Sequence, residues 1–349
     1  MSNQDEVIIW QEAAIGRIRL NRPRALNALS HQMILDIKDA LIKWENDNNI
    51  SAVVIDATGE RAFCAGGDVV NLYHTGRADP EPGRQYWRDE YRLNALIGRY
   101  KKPYIALMDA IVMGGGVGIS AHGSCRIVTE KTLLAMPEVG IGFLPDVGGT
   151  YLLARAPGKT GLYLGMTGMR IKAADAIYAG FADVFVPGDK LNELVAMLEE
   201  GVSIEKAIGK FKTNPDPAPL KQLQERIEDA FGRDTALGCL IRLEEMSKAG
   251  DQWAQTTLDA IRASCPMSVA ATFGAIKNAE GRSLEQCLAA EYRFSHKALL
   301  GSEFYEGVRA AVVDKDRSPK WSPATLEEIT PEMVAAALAP IGDREWSAH

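Results

Sequence analysis

Four glycines fall within five positions at Gly114-Gly115-Gly116-Val117-Gly118, just after an apolar run at 104–109 and just before a stretch of small residues. Glycine gives up more conformational freedom on folding than any other residue, so a run like this marks a place where bare backbone is needed. Read as strand, glycine turn and helix, the segment calls for an α/β fold. Amides at the start of a helix point outward and carry partial positive charge, which suits a phosphate or a developing oxyanion. Close packing of a helix on a sheet needs the same residues, and this segment alone leaves both readings open.

The chain around it has the same grammar. Residues 7–10 (VIIW) and 15–20 (IGRIRL), around a short polar link with Gly16, read as a β-hairpin, and 52–57 (AVVIDA) as a buried strand. Between them Met33, Ile34, Ile37, Leu41 and Trp44 recur at helical spacing behind Ser30, a suitable N-cap. A second amphipathic helix is expected over about residues 85–100, with Tyr91, Leu93 and Leu96 among its apolar positions and Pro103 beyond its end. Strands at 104–109 and 125–128 and the glycine-rich region 140–149 carry the alternation to about residue 190. From there to about 300, Leu, Ala, Glu and Lys dominate at helical spacing, broken at Asn214-Pro215-Asp216-Pro217-Ala218-Pro219. The expected organisation is a core over 1–190, a helical region over 191–317 and a tail over 318–349 laid across the body.

Two more segments carry possible chemistry. In Phe63-Cys64-Ala65-Gly66-Gly67-Asp68 the paired glycines let backbone amides approach a ligand, although an ordinary turn uses the same residues. The run 133–149 is apolar and glycine-rich and holds just two charges, Glu138 and Asp146. A carboxylate there is either exposed by the path of the backbone or buried with a raised pKa, as acid-base catalysis requires. Asp146 equally suits the cap of a helix starting near Thr150.

Other motifs fail. Gly116-Val117-Gly118-Ile119-Ser120-Ala121 matches a dinucleotide fingerprint, but at least three strands precede it and Glu138 follows a proline instead of ending a strand. Gly158-Lys159-Thr160 is similar to a phosphate-binding loop that lacks its leading glycine, since Leu153 stands there. The histidines at 31, 74, 122, 296 and 349 show no metal-ligand spacing, His122 near Cys125 reads as structural, and no GxSxG elbow is present. Five widely spaced cysteines without a CxxC pair predict reduced thiols. A net charge of -7 gives no global field to attract nucleic acid. No membrane-spanning run and no basic-then-apolar N-terminus is seen, so a cytoplasmic protein without a membrane partner is expected.

Taken in order, the three glycine and acid motifs resemble the crotonase (enoyl-CoA hydratase/isomerase) superfamily, and within it the 3-hydroxyisobutyryl-CoA hydrolase branch. The likeness is close from about Leu20 to Val186. Asn21-Arg22-Pro23-Arg24-Ala25-Leu26-Asn27-Ala28-Leu29 resembles the family's CoA-contacting N-terminal signature, and Glu303 to Ala310 with Asp314-Lys315-Asp316 resembles the hydrolase C-terminal pattern. The resemblance implies a spiral of ββα units with a helical C-terminal extension, binding a small-molecule acyl-CoA. Coenzyme A is then part of the substrate, and neither a separate cofactor nor a metal is expected.

By the same resemblance, the N–H groups of Gly67 and Gly115 hold the thioester oxygen, Ala65, Gly66 and Asp68 lie by the adenine, and Arg24 lies near the CoA phosphates. Hydratases of the superfamily use two glutamates, one of them two residues after the GGG. Here that position is Gly118, while Glu138 fills the second and Asp146 follows eight residues later, which is similar to the hydrolase arrangement. Glu90 falls where that branch has a substrate-contacting glutamate. The implied reaction is hydrolysis of a short 3-hydroxyacyl-CoA of the valine-degradation type, with Glu138 and Asp146 as the working acids. Enoyl-CoA hydration or isomerisation on the same scaffold and non-catalytic acyl-CoA binding are the alternatives. Relatives are often trimers or dimers of trimers, so a trimer-based homo-oligomer is implied while the sequence itself leaves assembly open.

Overall fold

The computed structural model describes residues 5–348, so His349 lies outside the described residues. Among the described residues ten strands form two sheets. β1 (Val7–Glu12), β2 (Ile15–Leu20), β3 (Ala52–Ala57), β5 (Tyr104–Met108), β7 (Cys125–Val128) and β10 (Val184–Phe185) make a six-stranded sheet in that order. β4 (Ala62–Cys64), β6 (Ile111–Met113), β8 (Leu133–Ala135) and β9 (Ile171–Lys172) make a four-stranded one. Only the β1–β2 hairpin is antiparallel in the larger sheet; β2, β3, β5, β7 and β10 run parallel. Consecutive strands alternate between the sheets, β3 then β4, β5 then β6, β7 then β8, and each pair is followed by a helical turn or helix. That is the expected crotonase-like spiral of ββα units.

The strands form where the sequence is continuously apolar. β5 is buried at every position, as in parallel strands covered on both faces. Helix His31–Glu45 is capped by Ser30, whose side chain accepts the Met33 N–H, and it buries Met33, Ile34, Ile37, Leu41 and Trp44 as expected. Gly16 belongs to β2 and not to the hairpin link, for a packing reason: a Cβ there would lie 2.6 Å from the Trp44 ring. The second helix, Glu81–Gly98, begins one turn before the expected start. The Asp79 side chain accepts the Glu81 N–H, and Pro82 falls in the first turn, where its missing donor costs nothing.

The chain divides into two compact units that do not follow the expected boundaries at 190 and 317. The first holds the described residues up to Gly67, Arg92–Leu134 and Ile171–Ala218. Helices Leu191–Glu199 and Ile204–Phe211 belong to it because Leu194, Val195, Leu198, Ala207 and Phe211 share a core with the strand residues Val54, Ile105, Leu107 and Ile127. The boundary falls instead inside the proline cluster, between Ala218 and Pro219.

The second unit holds Asp68–Tyr91, Ala135–Arg170 and Pro219 onward. Within it, helix Pro331–Leu338 of the tail lies against Gly274 of helix Pro266–Ala279, and the Trp346 indole N–H donates to the Arg88 carbonyl at 3.1 Å. All five cysteines are buried and none is in a disulfide. No helix among the described residues is long and apolar enough to cross a membrane.

Candidate active site

In the first unit the two glycine segments adjoin. The chain leaving β4 passes through Ala65, Gly66 at φ 117° and Gly67, which forms an isolated parallel bridge with Leu29. The other segment turns at Gly114, φ 49°, into the short helix Gly115–Gly118. A Cβ on Gly66 would lie 3.5 Å from the Met113 carbonyl oxygen and 3.8 Å from the Gly115 nitrogen, and one on Gly116 just 2.3 Å from the Cys64 carbonyl oxygen. Close packing therefore accounts for Gly116. It does not account for its neighbours: among the described residues no backbone hydrogen bond engages the N–H of Gly67 or of Gly115. Two amides from segments far apart in sequence thus have no backbone acceptor.

Arg24 is exposed in the turn Pro23–Ala25. That turn is pinned by buried Asn27, whose side chain accepts the Arg22 N–H and donates to the carbonyls of Thr58 and Ala62 at 2.9–3.0 Å. Asp68 caps helix Val69–Gly76, accepting the Asn71 N–H at 3.1 Å.

The acids meet in the second unit. Glu90 on helix Glu81–Gly98, Glu138 at the head of the 3-10 turn Glu138–Ile141, and Asp146 in the loop beyond are all buried, at 2%, 5% and 6% exposure. Burial raises the pKa of each. Glu138 is pushed well above the carboxylate range by desolvation, then by the charges of Asp146, Glu291 and Glu90; its Oε2 is buried without a partner. Glu90 is pushed up by desolvation and Asp146, and its Oε1 is likewise unpartnered. Asp146 rises to about 7 by desolvation, held back by the hydrogen bond from Tyr91 Oη to Oδ2 at 2.7 Å. Carboxyls poised this way can give or take a proton near neutral pH.

Asp146 is not the helix cap that its position suggested. Helix Gly149–Leu153 has Gly148 as N-cap and no side-chain cap of its own. Its first amides donate to Glu291 on helix Leu284–Ala298: Gly148 N–H to Oε2 at 2.8 Å and Thr150 N–H to Oε1 at 3.0 Å, with the Thr150 hydroxyl also on Oε1. Val147, beside Asp146, is held at φ 53°. A β-branched residue in that region is strained, at a cost of about 1–3 kcal/mol, and such outliers gather at functional sites.

The turn carrying Glu138 is locked by close backbone contacts. A Cβ on Gly142, φ 73°, would meet the Glu303 carbonyl oxygen at 2.2 Å, and one on Gly307 would meet the Ile141 carbonyl carbon at 2.2 Å. Helix Glu303–Val308 is thereby seated on the turn, with Phe143 stacked on Trp87 at 5.1 Å and edge-on to Phe294 at 5.7 Å.

Sequence reasoning missed Glu291, Tyr91's hydroxyl and Ser295. Glu291 is raised to about 8, mainly by desolvation. A signal for it existed: Cys287, Leu288, Glu291, Tyr292 and Ser295 form one buried stripe of their helix, and a single charge inside such a stripe is unusual.

The enoyl-CoA hydratase/isomerase family model matches residues 15–338. The chain is 41% identical to the mitochondrial 3-hydroxyisobutyryl-CoA hydrolase of Gallus gallus, over 97% of this chain and 90% of that protein. It is 39% identical to the Homo sapiens protein of the same name, over 94% and 87%. Among solved structures it is similar to a carnitinyl-CoA dehydratase from Mycobacterium thermoresistibile, with TM-score 0.94, 43% identity and 99% of both chains covered. An enoyl-CoA hydratase from Rhodobacter sphaeroides 2.4.1 gives TM-score 0.90 and 43% identity, over 98% of this chain and all of the other.

Proposed function

This chain belongs to the enoyl-CoA hydratase/isomerase family, and from that premise we propose that it hydrolyses a short 3-hydroxyacyl-CoA thioester of the 3-hydroxyisobutyryl-CoA type, releasing the hydroxy acid and CoA. The observation that carries the proposal is the acid set: a glycine at 118, where hydratases of the superfamily keep a glutamate, together with Glu138 and Asp146 as buried carboxyls of raised pKa. The curated relatives at about 40% identity bear hydrolase names, which supports the same reaction and, through their substrate, a role in valine degradation.

The chemistry assigns each group a task. Attack on the thioester carbonyl places negative charge on its oxygen, which the Gly67 and Gly115 amides receive; such donors supply roughly 3–4 kcal/mol each in hydrolases. In one route a Glu138 oxygen bonds to the carbonyl carbon, the C–S bond breaks, and CoA leaves as a thiolate that takes up a proton. Water then splits the resulting anhydride and restores Glu138. In the other route Glu138 takes a proton from water, the hydroxide adds to the carbon, and the proton passes to the departing sulfur. Asp146 and Glu90 orient the 3-hydroxyl and the water. Arg24 binds CoA phosphates, and Ala65, Gly66 and Asp68 border the adenine.

Hydration of an enoyl-CoA with Glu138 as sole acid is the second reading, favoured by the hydratase and dehydratase names of the two similar proteins of known structure. A thiol assay separates the two. Free CoA released from 3-hydroxyisobutyryl-CoA is the expected result; loss of enoyl absorbance without thiol gives the site to the second reading. Single-turnover hydrolysis in heavy-oxygen water labels the Glu138 carboxyl in the covalent route alone. A cytoplasmic location and a trimer-based homo-oligomer complete the proposal. The two curated relatives are named as mitochondrial, so fractionation of cells expressing the full chain decides the compartment, and light scattering decides the assembly.

A further inference from the structure

We propose that Tyr91 is a positioning residue for Asp146: its phenol donates to one carboxyl oxygen and thereby keeps the other turned toward the substrate as an ionised acceptor. The inference rests on the role given to Asp146 above. It is carried by a chain of close hydroxyl contacts. Tyr91 Oη lies 2.7 Å from Asp146 Oδ2 and 2.6 Å from Ser295 Oγ, all enclosed within the second unit. A phenol has one proton. If that proton goes to Asp146, Tyr91 Oη can only accept from Ser295, whose one proton is shared between Tyr91 Oη at 2.6 Å and the Glu291 carbonyl at 3.1 Å.

The groups facing Asp146 make this donation matter. Glu90 on the helix that also carries Tyr91, Glu138 in its turn and Glu291 on helix Leu284–Ala298 are all acids that interact with it. Each opposes a negative charge on Asp146, as does burial. Tyr91 is the side chain whose hydrogen bond favours that charge. Its ring is held independently of the hydroxyl, edge-on to Tyr292 at 6.2 Å and tilted against Trp346 at 6.5 Å. Removing the oxygen therefore removes the donor and leaves the packing.

The test uses the full chain with carbon-13 at the aspartate carboxyls, Asp146 being identified by the signal lost in Asp146→Asn. In Tyr91→Phe the titration midpoint of Asp146 should rise by about one unit, a tenfold change in its proton affinity, and in Ser295→Ala it should rise by less. The acid limb of kcat/KM for 3-hydroxyisobutyryl-CoA should move up by the same amount, with activity recovering above the new midpoint. An unchanged midpoint in folded Tyr91→Phe overturns the proposal; should that variant not fold, an unchanged midpoint in Ser295→Ala does so. A wild-type protein that releases no CoA from short acyl-CoA substrates overturns the assigned reaction instead, and the carboxyl titration still reports on the Tyr91 contact.

Discussion

Glu90, Glu138, Asp146 and Glu291 are buried within reach of one another's charge, and the neighbours that favour their ionised forms are hydroxyls and amides. Such a group favours the neutral side chain for stability and the titratable one for chemistry, a conflict common in active sites. Glu138→Gln resolves it one way. The variant should lose about 10²–10⁴-fold in kcat on the proposed mechanism. It should also melt at a higher temperature than the wild type, because glutamine carries no charge to bury, and the gap should widen as pH rises above the ordinary carboxylate range. Paired thiol assays and thermal melts check both; unchanged activity removes Glu138 from the mechanism. The acid pair was legible in sequence because Glu138 and Asp146 are the sole charges in a long apolar run. Glu291 left only the trace of a charge within its helix's buried stripe; its partners Gly148 and Thr150 lie well over a hundred residues earlier in the chain, and no local pattern encodes that pairing.

At the scale of elements, the turn Glu138–Ile141 and helix Glu303–Val308 are set by two glycines. Replacing Gly307 with alanine forces a Cβ into the Ile141 backbone, which cannot move aside as a side-chain tip can. The variant should lose about 1–3 kcal/mol of stability and much of its activity, because the displaced turn carries Glu138. Gly209→Ala is the control: it lies in helix Ile204–Phe211 with no atom within 4 Å of the new methyl. It should be neutral or stabilising by about 0.4–1 kcal/mol, with full activity. Chemical denaturation and the thiol assay compare the two, and equal behaviour would show that the interlock does not hold the turn. Elements with a period of their own, such as the Ser30-capped helix and the strand Ala52–Ala57, were readable from sequence. The capping of helix Gly149–Leu153 stayed open between two readings because Asp146 suits the cap by position, whereas the acceptor comes from Glu291.

Across the molecule, ionisation sets opposing trends. Asp146, raised to about 7, and Glu291, raised to about 8, contribute stability that is complete below their unfolded values and lost as pH climbs through the folded ones. Glu306, lowered to about 2 by its hydrogen bonds with Arg309, and His296, lowered to about 4 by burial, act in the other direction, their contributions fading as pH falls. Glu306 is largely solvated, so its share is small. Thermal melts from pH 3 to 9 should trace a dome with its top at about pH 4–5, where the loss from the raised acids begins to outweigh the gain from His296 and Glu306, and Glu291→Gln should flatten the alkaline side. A melting temperature that rises steadily to pH 9 would contradict the buried-acid account. The two-unit division could not be read along the chain, because each unit gathers three segments interrupted by stretches of the other. The proline cluster at 214–219 was the one visible trace of it.

The seating of helix Glu303–Val308 on the turn of Glu138 has a consequence for biosynthesis. A ribosome delivers that helix roughly 160 residues after the turn, on the order of ten seconds or more at ordinary elongation rates. Through that interval the nascent protein already has its glycine segments but lacks the helix that seats the turn of Glu138. Translation of the last segments thus acts as the step that arms the enzyme, and a message cut short before codon 303 would yield a chain with the motif and without the catalyst.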